Sequence, residues 1–127
     1  MMPMSESART LFATAIGDAE QTALLLDSGG KPLAGSYLDQ RGRDISGEVG
    51  AALSGVSTEV TRSMRLLFIG HWTAVVVETD AATIALAPAS QEAVVLLASS
   101  LTVPLGLVRR VLTRSVVLAI NWMRGRA

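Results

Sequence analysis

The stretch Ala23-Leu24-Leu25-Leu26-Asp27-Ser28-Gly29-Gly30-Lys31-Pro32-Leu33-Ala34 decides the fold. Its first half, with Thr22 ahead of it, is a continuous apolar run up to Asp27, the pattern of a strand buried on both faces. Ser28 to Pro32 reads as a turn, because glycine supplies the positive φ of a tight reversal and proline cannot continue a ladder. Leu33 to Leu38 then returns as a second strand, so the stretch predicts a β-hairpin. Ser28-Gly29-Gly30-Lys31 has a superficial likeness to a phosphate loop. A Walker loop, however, needs a wider glycine spacing, a Ser or Thr after the lysine, and a helix to follow. Pro32 and a strand follow here, which leaves the turn.

Outward from the hairpin, Ser7 to Ile16 reads as a short helix stopped by Gly17. Downstream, 39–43 is a polar link and Asp44 a natural N-cap. Ile45, Val49, Ala52, Leu53, Val56, Val60, Met64 and Leu67 then recur within a sector of roughly 100° at the helical period. They predict one long helix from Asp44 to about Ile69, ended by Gly70. Its other side is small: Gly47, Ala51, Ser54, Gly55 and Thr58. Each helical glycine costs about 1 kcal/mol against alanine, so that side is expected to pack closely on something. His71 to Thr79, Ala82 to Pro88 and Ala93 to Ala98 predict a three-stranded meander, the first strand being rich in β-branched residues. From about Val103 to Met123 a second amphipathic helix follows. Leu105, Val108, Val111, Leu112, Ser115, Ala119 and Trp122 share one side of it, and Arg109, Arg110 and Arg114 lie elsewhere. The sum is an α+β fold: a five-stranded, mainly antiparallel sheet with helices on both faces.

One domain over 1–127 accommodates this, with a core at about 7–122, a short flexible N-terminus at 1–6 and a basic C-terminal end at 123–127. Half of the residues are apolar and the formal net charge is zero, which excludes disorder and argues against nucleic-acid binding. There is no cysteine, hence no disulfide or thiolate chemistry; with no signal sequence at its start, the chain is expected in the cytoplasm. The nearly uncharged run 93–108 is too short for a membrane span, contains Pro104 and Gly106, and meets Arg109-Arg110. Arginines 109, 110, 114, 124 and 126, with no acid after Glu92, form a basic end that could meet anionic lipid or an acidic partner, although an ordinary solvated helix end is the favoured reading of the sequence. His71 is the sole histidine, no Gly-x-Ser-x-Gly elbow occurs, and the carboxylates are dispersed, so neither catalysis nor a cofactor is expected.

In order and spacing, several stretches resemble the roadblock / dynein light-chain superfamily, including bacterial MglB-like proteins. They are Ala23 to Ala34, the long helix from Asp44, Val75-Val76-Val77-Glu78-Thr79, Ile84-Ala85-Leu86-Ala87-Pro88 and Leu105-Gly106-Leu107-Val108-Arg109. The resemblance covers about 7–120 and implies a roadblock-like fold with profilin-like architecture. It also implies a homodimer, or a heterodimer with a paralogue, in which third strands pair edge to edge and long helices lie side by side. That assigns His71, Trp72, Thr73, Val75, Val77, Thr79, Ala51 and Gly55 to a dimer interface. It further implies a non-catalytic regulator or scaffold of a Ras-like small GTPase, contacted through Glu48, Ser54, Thr58, Arg62 and Arg65. The alternative is a structural dimerisation adaptor in a larger assembly, without effect on GTP hydrolysis.

Overall fold

The computed structural model describes residues 4–17 and 21–125; residues 1–3, 18–20 and 126–127 lie outside it, with the parts of the expected N-terminal arm and basic end that fall on them. The elements in chain order are α1 (Glu6–Arg9), α2 (Ala13–Ile16), β1 (Gln21–Asp27), β2 (Pro32–Gly35), α3 (Ser46–Ala52), α4 (Val56–Leu66), β3 (Val75–Glu78), β4 (Thr83–Ser90), β5 (Ala93–Ser99) and α5 (Leu105–Gly125).

The hairpin forms as the sequence predicts. Asp27 organises its turn: one carboxylate oxygen accepts from the backbone N–H groups of Gly29 (2.9 Å) and Lys31 (2.8 Å), and Gly30 adopts φ +86°. Five strands join in the order β2-β1-β5-β4-β3, every pairing antiparallel. The most apolar strands, β1 and β5, therefore sit inside, and the shorter β2 and β3 form the edges.

Side chains alternate across this sheet and make two cores. On one face Ala23, Leu25, Ala85, Val95 and Leu97 pack with Phe12 of the α1–α2 segment and with Val108, Val111, Leu112 and Ala119 of α5. On the other, Leu24, Leu26, Leu86, Val94 and Leu96 meet Val49, Leu53, Val56 and Trp72 from the α3–α4 side. The fold class read from the sequence is observed.

Several element boundaries differ from expectation. The first helix is two single turns, α1 and α2, and Ser5 caps α1 by accepting from Ala8 N–H. The long helix is broken into α3 and α4, because Gly55 takes a left-handed conformation (φ +87°) that a continuing helix cannot contain. Asp44 does not occupy the N-cap position of α3, which falls to Ile45; its carboxylate instead accepts from the backbone N–H of Ser46 (2.9 Å) and from the Ser46 hydroxyl. Ser46 in turn accepts from Tyr37 N–H at 2.9 Å, tying the chain after β2 to the start of α3. Burial pushes the Asp44 carboxyl up, yet donation from the Ser46 side chain and backbone outweighs it and holds the group below the usual carboxylate range. β2 stops at Gly35, three residues short of the expected end, and β3 begins only at Val75, so 71–74 lie outside the strand.

Within the chain the close packing expected of the small residues on the long helix is met at Ser54, whose Cβ lies 3.3 Å from where a Cβ on Gly30 would stand, and not at the glycines singled out. A methyl group added at Gly47 or Gly55 would meet nothing within 4 Å. The tight approach is at Gly50, whose missing side chain lets α3 rest on the β1–β2 turn; a Cβ there would run into the Gly30 carbonyl oxygen.

Candidate protein-binding interface

β3 pairs with β4 along one side, through Val75 with Leu86, Val76 with Ala85, Val77 with Ile84 and Glu78 with Thr83. Among the described residues its other side has no strand partner. An open edge of this kind is a template for a further strand. Val76 faces the core shared with α5, as its neighbour Ala85 does. Val75 and Val77 therefore point to the opposite face, the one carrying α4.

α4 is amphipathic yet buries no residue completely. Val56, Val60 and Met64 are only half-buried on it. Directly after it comes an apolar run that the molecule leaves in solvent: Leu66, Leu67, Phe68 and Ile69 are each more than 60% exposed, and Phe68 reaches 93% with a positive φ of 56°. Val77 is 48% exposed at the strand edge. Scattered exposed leucines are ordinary, but four consecutive large apolar residues left in solvent make a candidate contact surface.

The connector from α4 to β3 is held by one side-chain bond, the Trp72 indole N–H donating to Thr61 Oγ1 at 2.9 Å. Beneath it lies a groove of about 760 Å³ lined by Thr61, Arg65, Phe68, His71, Trp72 and Gln91. A second groove of about 370 Å³ has Thr58, Arg62 and Arg65 on one wall and Ser28, Gln91 and Glu92 on the other.

The residues singled out in the sequence are thus distributed unevenly. Thr58, Arg62 and Arg65 come together on α4, where Arg62 also pairs with Glu59 at 3.4 Å. Glu48 and Ala51 are exposed on α3, and Ser54 and Gly55 lie in the break; none of these four lines either groove. His71 and Thr73 are exposed in the connector, and Trp72 is half-buried. Thr79 serves its own turn: its hydroxyl donates to Ala82 carbonyl (3.0 Å) and accepts from the N–H groups of Ala81 and Ala82. Leu66 to Ile69 were missed as surface residues because Leu67 fits the apolar stripe of an unbroken helix. The available signal was the run itself, since four adjacent apolar residues cannot all face one side at the helical period. Among the described residues no group of three or more histidines and carboxylates could hold a metal ion.

A five-stranded antiparallel sheet with helices on both faces and an open β3 edge defines a fold of the roadblock/LC7 type, close in architecture to profilin. Solved structures carry the likeness in particular. Myxococcus xanthus MglB superposes with a TM-score of 0.77 over 94% of this chain and 97% of its own, at 14% identity. The Roadblock/LC7 domain from Streptomyces avermitilis gives 0.76 over 91% and 97%, at 17% identity. Profilin II of Acanthamoeba castellanii gives 0.61 over 91% and 98%, at 15% identity. Compared by sequence, the chain matches no family model and no curated protein. The resemblance read over about 7–120 is therefore met at the level of the fold.

Proposed function

We infer that the chain works as a non-catalytic cytoplasmic dimer that regulates or scaffolds a Ras-like small GTPase. The observations that carry this reading are the open β3 edge, an α4 that buries no residue completely, and the exposed apolar run Leu66 to Ile69 directly after it. A second copy pairing along β3 would satisfy the free backbone groups and bring Val77 and the two α4 segments under cover. The break at Gly55 shifts the expected helix contact from Ala51 and Gly55 to α4 and the apolar run. The grooves along Thr58, Arg62 and Arg65 remain as the GTPase contact, where a bound partner would be positioned without any catalytic side chain being donated.

Light scattering on the intact chain and on Val77→Lys tests the dimer: the wild type should have twice the mass of the variant. An unchanged dimer in Val77→Lys refutes the edge assignment. Pull-down with the Ras-like small GTPases of the same organism, followed by hydrolysis rates with and without the protein, tests the partner. Capture of one such GTPase in one nucleotide state supports the reading, and no binding of any in either state overturns it. Binding without any effect on hydrolysis identifies a scaffold; a dimer that instead captures only other proteins corresponds to the structural adaptor.

A further inference from the structure

The charge of this chain is balanced in total and separated in space. All eleven acids fall at or before Glu92, whereas five of the eleven cations fall after it, at Arg109, Arg110, Arg114, Arg124 and Arg126. The structure sets four of these on α5, a helix of 21 residues and about 30 Å. Its inner side, Val108, Val111, Leu112, Ser115 and Ala119, is buried against the sheet. At the helical period the opposite side carries Arg110, Thr113, Arg114, Val117, Asn121 and Arg124, all exposed, with Arg109 at its margin. Among the described residues none of these arginines has an ion-pair partner; the two salt bridges present join Arg43 to Asp39 and Arg62 to Glu59. Aliphatic side chains are interspersed with them: Leu107 and Val117 are 38% and 52% exposed. Beside Arg114 a shallow groove lined by Thr14, Ala15, Val117 and Leu118 separates α5 from α2.

We propose that the outer face of α5 is a docking surface for an anionic phospholipid bilayer. Charge complementarity commits the face to this occupant. Cations of one sign are spread along about 21 Å of helix from Arg110 to Arg124, a delocalised array suited to a plane of phosphates rather than to one carboxylate. Arginine matches phosphate through its planar fork of donors. The exposed Leu107 and Val117 have a use at the boundary of headgroup and acyl chain and none along a polyphosphate rod. The rest of the chain, with six cations against eleven acids, is repelled by the same plane, so one orientation is selected. No helix among the described residues is long and apolar enough to cross a membrane, so attachment is peripheral and sensitive to salt. In a dimer joined through β3, antiparallel pairing keeps like faces of the two sheets together, and both α5 helices address the same bilayer. This doubling rests on the dimer reading above; the charge of the single helix does not.

The experiment is co-sedimentation of the full chain with phosphatidylcholine vesicles, with and without phosphatidylglycerol, at low and high salt. Binding is expected only with phosphatidylglycerol and only at low salt. Each arginine lost should weaken partitioning about fivefold, so Arg110→Glu with Arg114→Glu should abolish sedimentation while circular dichroism stays unchanged. Arg110→Lys with Arg114→Lys should retain most of it. Absence of binding to phosphatidylglycerol vesicles overturns the proposal, as does equal binding by the glutamate variant; in the first case an acidic protein becomes the candidate occupant. Light scattering on the same samples separates the two readings. A monomer that still sediments refutes the dimer alone, and a dimer that never sediments refutes the lipid surface alone.

Discussion

Adding one methyl group at Gly50 should unsettle the face that bears the interface, whereas the same methyl three residues earlier should not. At Gly50 the new Cβ would collide with the backbone carbonyl oxygen of Gly30, and the Leu26 side chain lies 3.2 Å away. Neither the carbonyl nor its turn can yield easily, because Gly30 sits at φ +86° and its N–H is bonded to the Asp27 carbonyl at 3.0 Å. Overpacking of this kind costs about 1–3 kcal/mol, and the upper half of that range fits a clash with backbone. Replacing a helical glycine by alanine returns about 0.5–1 kcal/mol. Gly50→Ala should therefore lose about 1–2.5 kcal/mol net. At Gly47, on the same helix, a Cβ meets nothing within 4 Å. Gly47→Ala should gain up to about 1 kcal/mol. The assay is urea unfolding followed by circular dichroism at one fixed protein concentration, since a dimer's stability depends on concentration. In thermal melts the two variants should bracket the wild type, at about 4 °C per kcal/mol for a domain of this size. Equal midpoints for Gly50→Ala and Gly47→Ala would refute the claim that α3 is seated on the β1–β2 turn.

Two other outcomes follow from buried or bonded polar groups. The Asp44 carboxyl is held below its ordinary value of 3.8 in the folded chain, so its contribution to stability is present above that pH and drains away as pH falls through the lowered value. Asp44→Asn should be the less stable protein at neutral pH, with the gap closing below about pH 4 in acid titrations of unfolding; a gap independent of pH would disprove the linkage. Ser115 is fully buried on α5, and among the described residues its hydroxyl has no hydrogen-bond partner. Ser115→Ala should raise stability by about 1 kcal/mol in the same assay, and a loss would mean that the hydroxyl has a partner in solution.

Local patterns carried the sheet. The run Ala23 to Asp27 followed by two glycines determines a hairpin whatever surrounds it, because alternatives would strand the turn residues or expose the leucines. The β-branched and apolar runs around Val75, Ile84 and Val95 likewise specify strands, and the charge asymmetry after Glu92 is a property of composition alone. What the sequence could not settle are distances between parts far apart in the chain. Periodicity continues smoothly through Leu53 and Val56, so a helix broken at Gly55 reads as an unbroken one; the left-handed glycine appears only when both halves must cover the sheet. The same limit hid the contact of Gly50 with Gly30, two ordinary glycines until the turn is placed under α3. It also hid the exposure of Leu66 to Ile69, since burial is a relation between surfaces and a sequence lists only the residues that could take part in it. The open side of β3 is of this kind as well: strands can be read locally, but which strand ends a sheet is decided by the pairing of all five.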